Sequence, residues 1–304
     1  MKEYLAQRFN QGFFEGEALW IGNLGHFFIV LSFIMVALAS FSFFKAELSK
    51  DLGLKKDWNK IARWSFFIHG VSIFSIFSLL FYMILNHHYE YHYAWSHSSN
   101  DLPVYYIISS FWEGQEGSFL LWQFWHVILG FVLIRIGKNY ENPVMAVLSF
   151  SQLLLGSMVL GIYLLGYKIG VNPFTLLRNV MADAPIFAKA DYLNYVLDGN
   201  GLNLLLQNYW MVIHPPVLFL GFASTVVPFS YAIASLWRAD YTNWLRPALA
   251  WSLFTVGMLG TGIFMGGAWA YESLSFGGFW AWDPVENASL VPWLLIIAGV
   301  HTLV

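Results

Sequence analysis

The chain has 304 residues, 58% of them apolar and 11% charged, with 28 Phe, 16 Tyr and 15 Trp. Soluble domains are nearer a quarter charged, so this composition belongs to a protein solvated largely by lipid. Fifteen basic and eighteen acidic residues leave a formal charge of −3, which excludes a nucleic-acid-binding chain, and the absence of cysteine removes disulfides, thiolate metal sites and cysteine nucleophiles.

A hydrocarbon core about 30 Å thick takes roughly 20 apolar helical residues per crossing. In chain order the apolar runs are 19–44, 64–86, 117–134, 144–167, 215–237 and 248–270, and a seventh starts near Ser289 and is still apolar at Val304. Residues 1 to 18 are mixed polar and the first run exceeds the apolar region of a signal peptide, so it reads as an uncleaved anchor. The seventh run would rise only about 24 Å at 1.5 Å per residue. The expected fold is therefore an all-α polytopic membrane protein. It is a helical bundle of six complete transmembrane helices plus a seventh cut at the C-terminus, in one domain over 1–304, with a continuation expected beyond Val304.

Loops 45–63, 135–143 and 238–246 hold Lys45, Lys50, Lys55, Lys56, Lys60, Arg63, Arg135, Lys138, Arg238 and Arg246, ten of the fifteen basic residues. By the positive-inside rule these loops are cytoplasmic. The N-terminus, 87–113, 168–214 and 271–288 then face outward, which in a bacterium places the chain in the inner membrane with a periplasmic N-terminus. Segments 202–212 (LNLLLQNYWMV) and 268–282 (AWAYESLSFGGFWAW) are apolar but too short to span. They are expected in the interface, with rings at headgroup depth against membrane lipid.

With no thiolate, cofactor chemistry rests on the nine histidines. His214 precedes Pro215-Pro216, and proline suits the first helical position, so His214 is expected at the outer mouth of the fifth helix, as a water-binding helix-start residue or as a ligand. In Gly266–Leu294, Asp283, Pro284 and Glu286 fit the N-cap, N1 and N3 of the seventh helix, a capping box rather than an acid/base pair. Trp269, Trp280 and Trp282 with Phe276 and Phe279 form either an interfacial belt or a flat platform for a planar ligand. Two spans separate His214 from this segment, so both reach the same face, where an imidazole and apolar walls would suit a porphyrin. His301 falls about 18 Å below the outer end. His26, His69 and His126 share its intramembrane position, and each is open to ligation or to hydrogen bonding between helices. His87, His88, His92 and His97 crowd one outer loop, either a metal site or a solvated tyrosine-rich loop. Glu113 and Glu116 fit the dipole at the start of the third helix. Hydrolase, kinase and dinucleotide motifs have no support.

WAYESLSFGGFWAWDPVENASLVPWL resembles the tryptophan-rich WWD segment of haem-handling membrane proteins, and its DPVENAS ending resembles the CcmF/NrfE branch, the haem lyase subunits of bacterial cytochrome c maturation. EGQEGSFLLW, the NPF at Asn172–Phe174 and DGNGLNLLLQNYWMVIHPPVLFLGF match in the family's order, covering most of the chain from residue 112. The resemblance implies that periplasmic haem, the substrate, is held on the WWD segment with His214 on its iron. It further implies an intramembrane haem b on His301 and joining of haem vinyl groups to the thiols of an apocytochrome c C-x-x-C-H motif. Both second iron ligands lie beyond Val304 in a typical member. The implied partners are a CcmE-type haem chaperone, apocytochrome c and a CcmH-type thiol-handling subunit. Phe276 and Phe279 stand where many relatives carry Trp, which keeps an apolar wall. The alternatives are a haem-loading or export WWD protein without lyase activity, and an ion-coupled transporter or structural membrane subunit.

Overall fold

A computed structural model describes residues 14–273 and 278–304. Its elements run α1 (Leu19–Leu48), α2 (Leu52–Leu85), α3 (His92–His97), α4 (Val104–Ser109), α5 (Gln115–Ile136), α6 (Glu141–Met158), a hairpin of β1 (Ile162–Leu164) and β2 (Tyr167–Ile169), α7 (Leu177–Val180), α8 (Tyr209–Arg238), α9 (Leu245–Ser273) and α10 (Pro284–Leu303). Among the described residues α1, α2, α5, α8, α9 and α10 are long and apolar enough to cross a membrane.

The helices start where side chains or distant loops supply what the first turn lacks. Asp51 caps α2 by accepting from the Leu54 amide at 2.8 Å. α1 has no side-chain cap of its own. Its leading amides are met from the loop after α2 instead: the amide of Ala18 donates to Glu90 at 3.1 Å and that of Gly22 to the Tyr91 hydroxyl at 2.7 Å. α1 and α2 thus form an antiparallel pair sealed at the end where the second turns back.

The fourth predicted span is shorter than its apolar run. α6 stops at Met158, not Tyr167, and the remaining apolar residues form the β1–β2 hairpin. The reason is local: Gly161 and Gly170 take left-handed backbone angles of +60° and +70°, and a side chain on Gly170 would strike the Ser157 carbonyl. α6 nonetheless runs the length of the bundle. Glu141 at its start accepts from Arg63 near the beginning of α2, and Asn172 beyond its far end donates to His26 in α1 at 2.8 Å.

The three basic loops do converge on one end. Arg238 pairs with Glu47 and donates to the Asn139 carbonyl at 2.6 Å, and Tyr140 donates to Asp240 at 2.6 Å. At the other end Glu17 accepts from Arg178 and Tyr192, both at 2.7 Å. The alternation of charge along the chain therefore appears as two chemically distinct ends of one bundle.

Pro215, Pro216 and Pro228 lie inside α8, which starts six residues before the first of them under an Asn208 cap. An internal proline frees the carbonyl four residues back. Trp112 donates its indole N–H to the Met211 carbonyl at 2.8 Å, and Thr255 donates to the Ser224 carbonyl at 3.1 Å. Borrowed donors thus let the helix begin early and tie it to the segment before α5 and to α9.

At the centre, Gln152 of α6 donates to the Gln123 carbonyl at 2.9 Å and to His69 Nε2 at 3.0 Å, and its oxygen accepts from His126 Nδ1 at 3.1 Å. His69 Nδ1 donates to the Ser32 carbonyl at 3.1 Å. This chain crosses α1, α2, α5 and α6 with every member buried. Gln152→Leu would strand two imidazole nitrogens, at about 1–3 kcal/mol for each unsatisfied group. The expected loss of about 2–6 kcal/mol is measurable by detergent-titrated unfolding, whereas Ser151→Ala on the neighbouring position should fall within experimental error.

Candidate functional site at the end opposite the basic loops

The N-terminal turns of α8 and the C-terminal turns of α9 face each other at the end opposite the basic loops. His214 sits in the second turn of α8, buried to 8% exposure, not standing over the surface at the helix mouth as proline placement suggested. Its ring packs 5.9 Å from that of Trp269, and Gly266 of α9 permits the approach, since a Cβ there would come within 2.8 Å of the imidazole. Trp269 itself belongs to α9 rather than to the loop that follows it.

The platform loop is held by the start of α10. Asp283 accepts from the Glu286 amide at 2.7 Å while Glu286 accepts from the amides of Asp283 and Ala281, at 3.2 and 2.9 Å to the same oxygen. Both carboxylates are thus engaged with backbone, as the capping-box reading requires. Asn287 donates to the Trp282 carbonyl at 2.9 Å. Trp280 and Trp282 meet edge to face at 5.9 Å, and Phe279 lies over Gly267, where a side chain would collide with its ring. Phe276 lies outside the described residues.

Three buried nitrogens in this region have no hydrogen-bond partner among the described residues: His214 Nδ1, Trp269 Nε1 and Trp280 Nε1. Neighbouring polar groups are satisfied, with Trp210 donating to Glu272 at 2.8 Å and Asn208 to Ser273 at 2.6 Å. Buried indole N–H groups normally find an acceptor. An imidazole, two indole donors and aromatic walls therefore suit a planar ligand that offers both a metal and acceptor groups.

His301 is elsewhere. It lies seventeen residues past Pro284 and is exposed, on a helix of which only 6% of the most apolar stretch is buried by described residues. His26, His69 and His126 are hydrogen-bonded to Asn172, Gln152 and Gln152 respectively. In the outer loop His88 pairs with Glu90 at 3.0 Å and His87 with the Tyr89 hydroxyl at 3.0 Å. His92 starts α3, so it shares no helical face with His88, and no metal-ligating group of three forms among the described residues.

Residues 112–304 match the family described as Cytochrome C assembly protein. The chain is 32% identical over 289 residues to the cytochrome c-type biogenesis protein CcmF of Haemophilus influenzae, covering 93% of this chain and 40% of the relative. It is 36% identical over 219 residues to CcmF of Escherichia coli, covering 69% and 30%, and 31% identical over 283 residues to NrfE of Haemophilus influenzae, covering 90% and 41%. A solved structure described as Cytochrome c Heme Lyase CcmF superposes with a TM-score of 0.72 at 27% identity, over 97% of this chain and 43% of that one. The chain thus spans about two fifths of the length of the Haemophilus CcmF.

Glu113 is the residue whose environment sequence spacing misses. It precedes α5 rather than sitting in its first turn, and one carboxylate oxygen is buried with no partner among the described residues. Burial pushes its carboxyl up to about 7. The folded state therefore holds a proton that the unfolded chain releases at lower pH, and this contribution is lost as pH rises from 4.5 toward 7. Glu113→Gln should raise the unfolding midpoint at pH 8 and leave it nearly unchanged at pH 4. In the unsubstituted protein an infrared carboxyl band should disappear as pH passes about 7.

Proposed function

This chain belongs to the cytochrome c assembly protein family, and from that premise we propose that it is the haem-holding part of a haem lyase subunit of cytochrome c maturation. The observation that carries the reading is the trio of unpartnered buried nitrogens, His214 Nδ1, Trp269 Nε1 and Trp280 Nε1, inside an aromatic outer site.

In this reading periplasmic haem is the substrate. Trp269, Phe276, Phe279, Trp280 and Trp282 supply its apolar wall and His214 an axial nitrogen, while the two indole N–H groups donate to acceptor groups on the ligand. Wall and ligand together orient haem and leave a vinyl edge accessible, so the protein contributes position and the porphyrin contributes reactivity. The thiols that add to the vinyl groups are assigned, from the family resemblance, to the apocytochrome C-x-x-C-H motif. Each addition forms one C–S and one C–H bond and breaks one S–H bond and the π bond of the vinyl C=C, with no net oxidation.

His301 is assigned to an intramembrane haem b, which when bound would supply an electron-storing group. Its exposure on a face of α10 that no described element covers supports that role, because an imidazole on such a face leaves its coordinating nitrogen accessible. A CcmE-type chaperone, apocytochrome c and a CcmH-type subunit are assigned to the outer end. The whole of 1–304 acts as one transmembrane domain in a bacterial inner membrane with its N-terminus in the periplasm, which the clustering of basic loops at the opposite end supports.

Reduced-minus-oxidised spectra with pyridine haemochrome quantitation on the full-length protein test the cofactor assignments. His301→Ala should lose the b-type signal, and His214→Ala should keep it while losing haem transfer to apocytochrome. Full haem content in His301→Ala would exclude that ligand, and well-folded full-length protein without haem would remove the reading. Orientation is tested on the cysteine-free background: in intact cells an impermeant maleimide should label Leu165→Cys at the hairpin tip and spare Lys55→Cys, and the reverse pattern would invert the topology.

A further inference from the structure

Where the basic loops meet, an open cavity of about 820 Å³ lies between the end of α1, the N-terminal part of α2, the start of α6 and the end of α8. Five cationic side chains line it against three carboxylates. None of the lining comes from α9 or α10.

The three carboxylates are already matched. Glu141 accepts from the Arg63 guanidinium at 2.6 and 2.5 Å, and Glu47 accepts from that of Arg238 at 2.5 and 2.6 Å. Asp240 accepts from the Tyr140 hydroxyl at 2.6 Å and from the Asn243 amide at 3.1 Å. Lys55, Lys56 and Lys138 line the same cavity with no ion-pair or hydrogen-bond partner among the described residues. The space between them therefore carries a positive potential that the lining does not cancel. Lys138 is set there by a left-handed backbone angle of +44°, which a residue with a side chain rarely adopts. Trp58 and Trp237 precede Asn59 and Arg238 of the lining, and they pack on Phe41 and Phe44 with ring centroids 5.8 and 5.1 Å apart. Tryptophans of membrane proteins gather at headgroup depth.

We infer that this cavity binds a phosphate group, carried by the headgroup of an anionic lipid or by the free anion. The two arginines are held by carboxylates in two-pronged pairs and serve as walls, whereas each lysine brings a compact charge with three free donors to an acceptor-rich ligand. The tryptophans beside the lining favour the lipid, because a headgroup at their depth presents its phosphate to the lysines and its apolar part to Leu52, which is 82% exposed at the rim. Basic pockets between membrane helices recognise anionic headgroups in this way. The site involves neither His214 nor His301.

Tritiated phosphatidylglycerol in detergent micelles, bound to the immobilised full-length protein, tests the inference. Binding should be saturable, and unlabelled phosphatidylcholine, whose choline cancels the phosphate charge, should compete about fivefold more weakly or worse. Lys55→Gln, Lys56→Gln and Lys138→Gln should each weaken binding about fivefold, the attraction of one basic residue for an anionic headgroup. Lys50→Gln and Lys60→Gln remove the same charge from the same end but lie outside the lining, and they should leave binding unchanged. Inorganic phosphate, compared with chloride at equal ionic strength, separates the two sources. Label retained assigns the lipid headgroup; label displaced, with radiolabelled phosphate binding in lipid-free detergent, assigns the free anion. No saturable binding of either probe, equal competition by phosphatidylcholine, or losses in the Lys50 and Lys60 variants as large as in the lining ones would overturn the proposal. If a variant does not fold, the phosphatidylcholine comparison on the unsubstituted protein decides alone. None of these readouts uses haem, so the outcome is separate from that of the haem lyase reading.

Discussion

A helix in lipid has no water to repair a broken backbone hydrogen bond, and that constraint organises this molecule. α8 contains three prolines, each of which frees a carbonyl. The Trp112 indole takes up the Met211 carbonyl and the Thr255 hydroxyl takes up that of Ser224. The first bond holds the turn that carries His214 against the outer segment, and the second holds α8 against α9. With both in place His214 is brought to Gly266 and Trp269. The position of the candidate iron ligand thus follows from where the prolines remove hydrogen bonds and which side chains replace them.

The same constraint makes unmatched groups informative. Ten buried side-chain polar atoms lack partners among the described residues, and three of them, on His214, Trp269 and Trp280, fall at the candidate site. Unmatched groups scattered at random would combine donors and acceptors without regard to the space beside them. Here the three combine two indole donors with an imidazole beside aromatic walls.

Much of this was legible from the chain alone. Apolar runs and the alternation of basic loops defined the spans and the two ends, because hydrophobic length and charge act locally and additively. The Asp283–Glu286 capping box was legible because all its partners lie within a few residues. Misplaced features are those decided by distant partners. Pro215 looked like a helix start, since nothing near it reveals that Trp112, about a hundred residues earlier, replaces the missing donor. The end of α6 was overrun because hydropathy continues through Tyr163, Leu164 and Leu165, whereas Gly161 and Gly170 reverse the chain. The contrasting roles of His69 and His126 depend on the orientation of one amide, Gln152, which no spacing rule encodes.

The DPVEN segment does two jobs that sequence reasoning treats as one. Asp283 and Glu286 start α10, yet Glu286 also reaches back to the Ala281 amide, and Asn287 holds the Trp282 carbonyl. Trp282 takes a left-handed backbone angle of +59°, a conformation that costs a bulky residue about 1–3 kcal/mol unless its surroundings impose it. The hydrogen bonds to the first turn of α10 are those surroundings. The aromatic loop is therefore fastened to a helix terminus, and a rigid helix connects that terminus to His301, about 26 Å away along its axis. The proposed role as a platform for a flat ligand requires such fastening, because a free aromatic loop would collapse onto its own apolar surface. The acidic residues beside the tryptophans are accordingly structural in the strict sense, and any effect of replacing them on ligand binding would act through the orientation of Trp280 and Trp282.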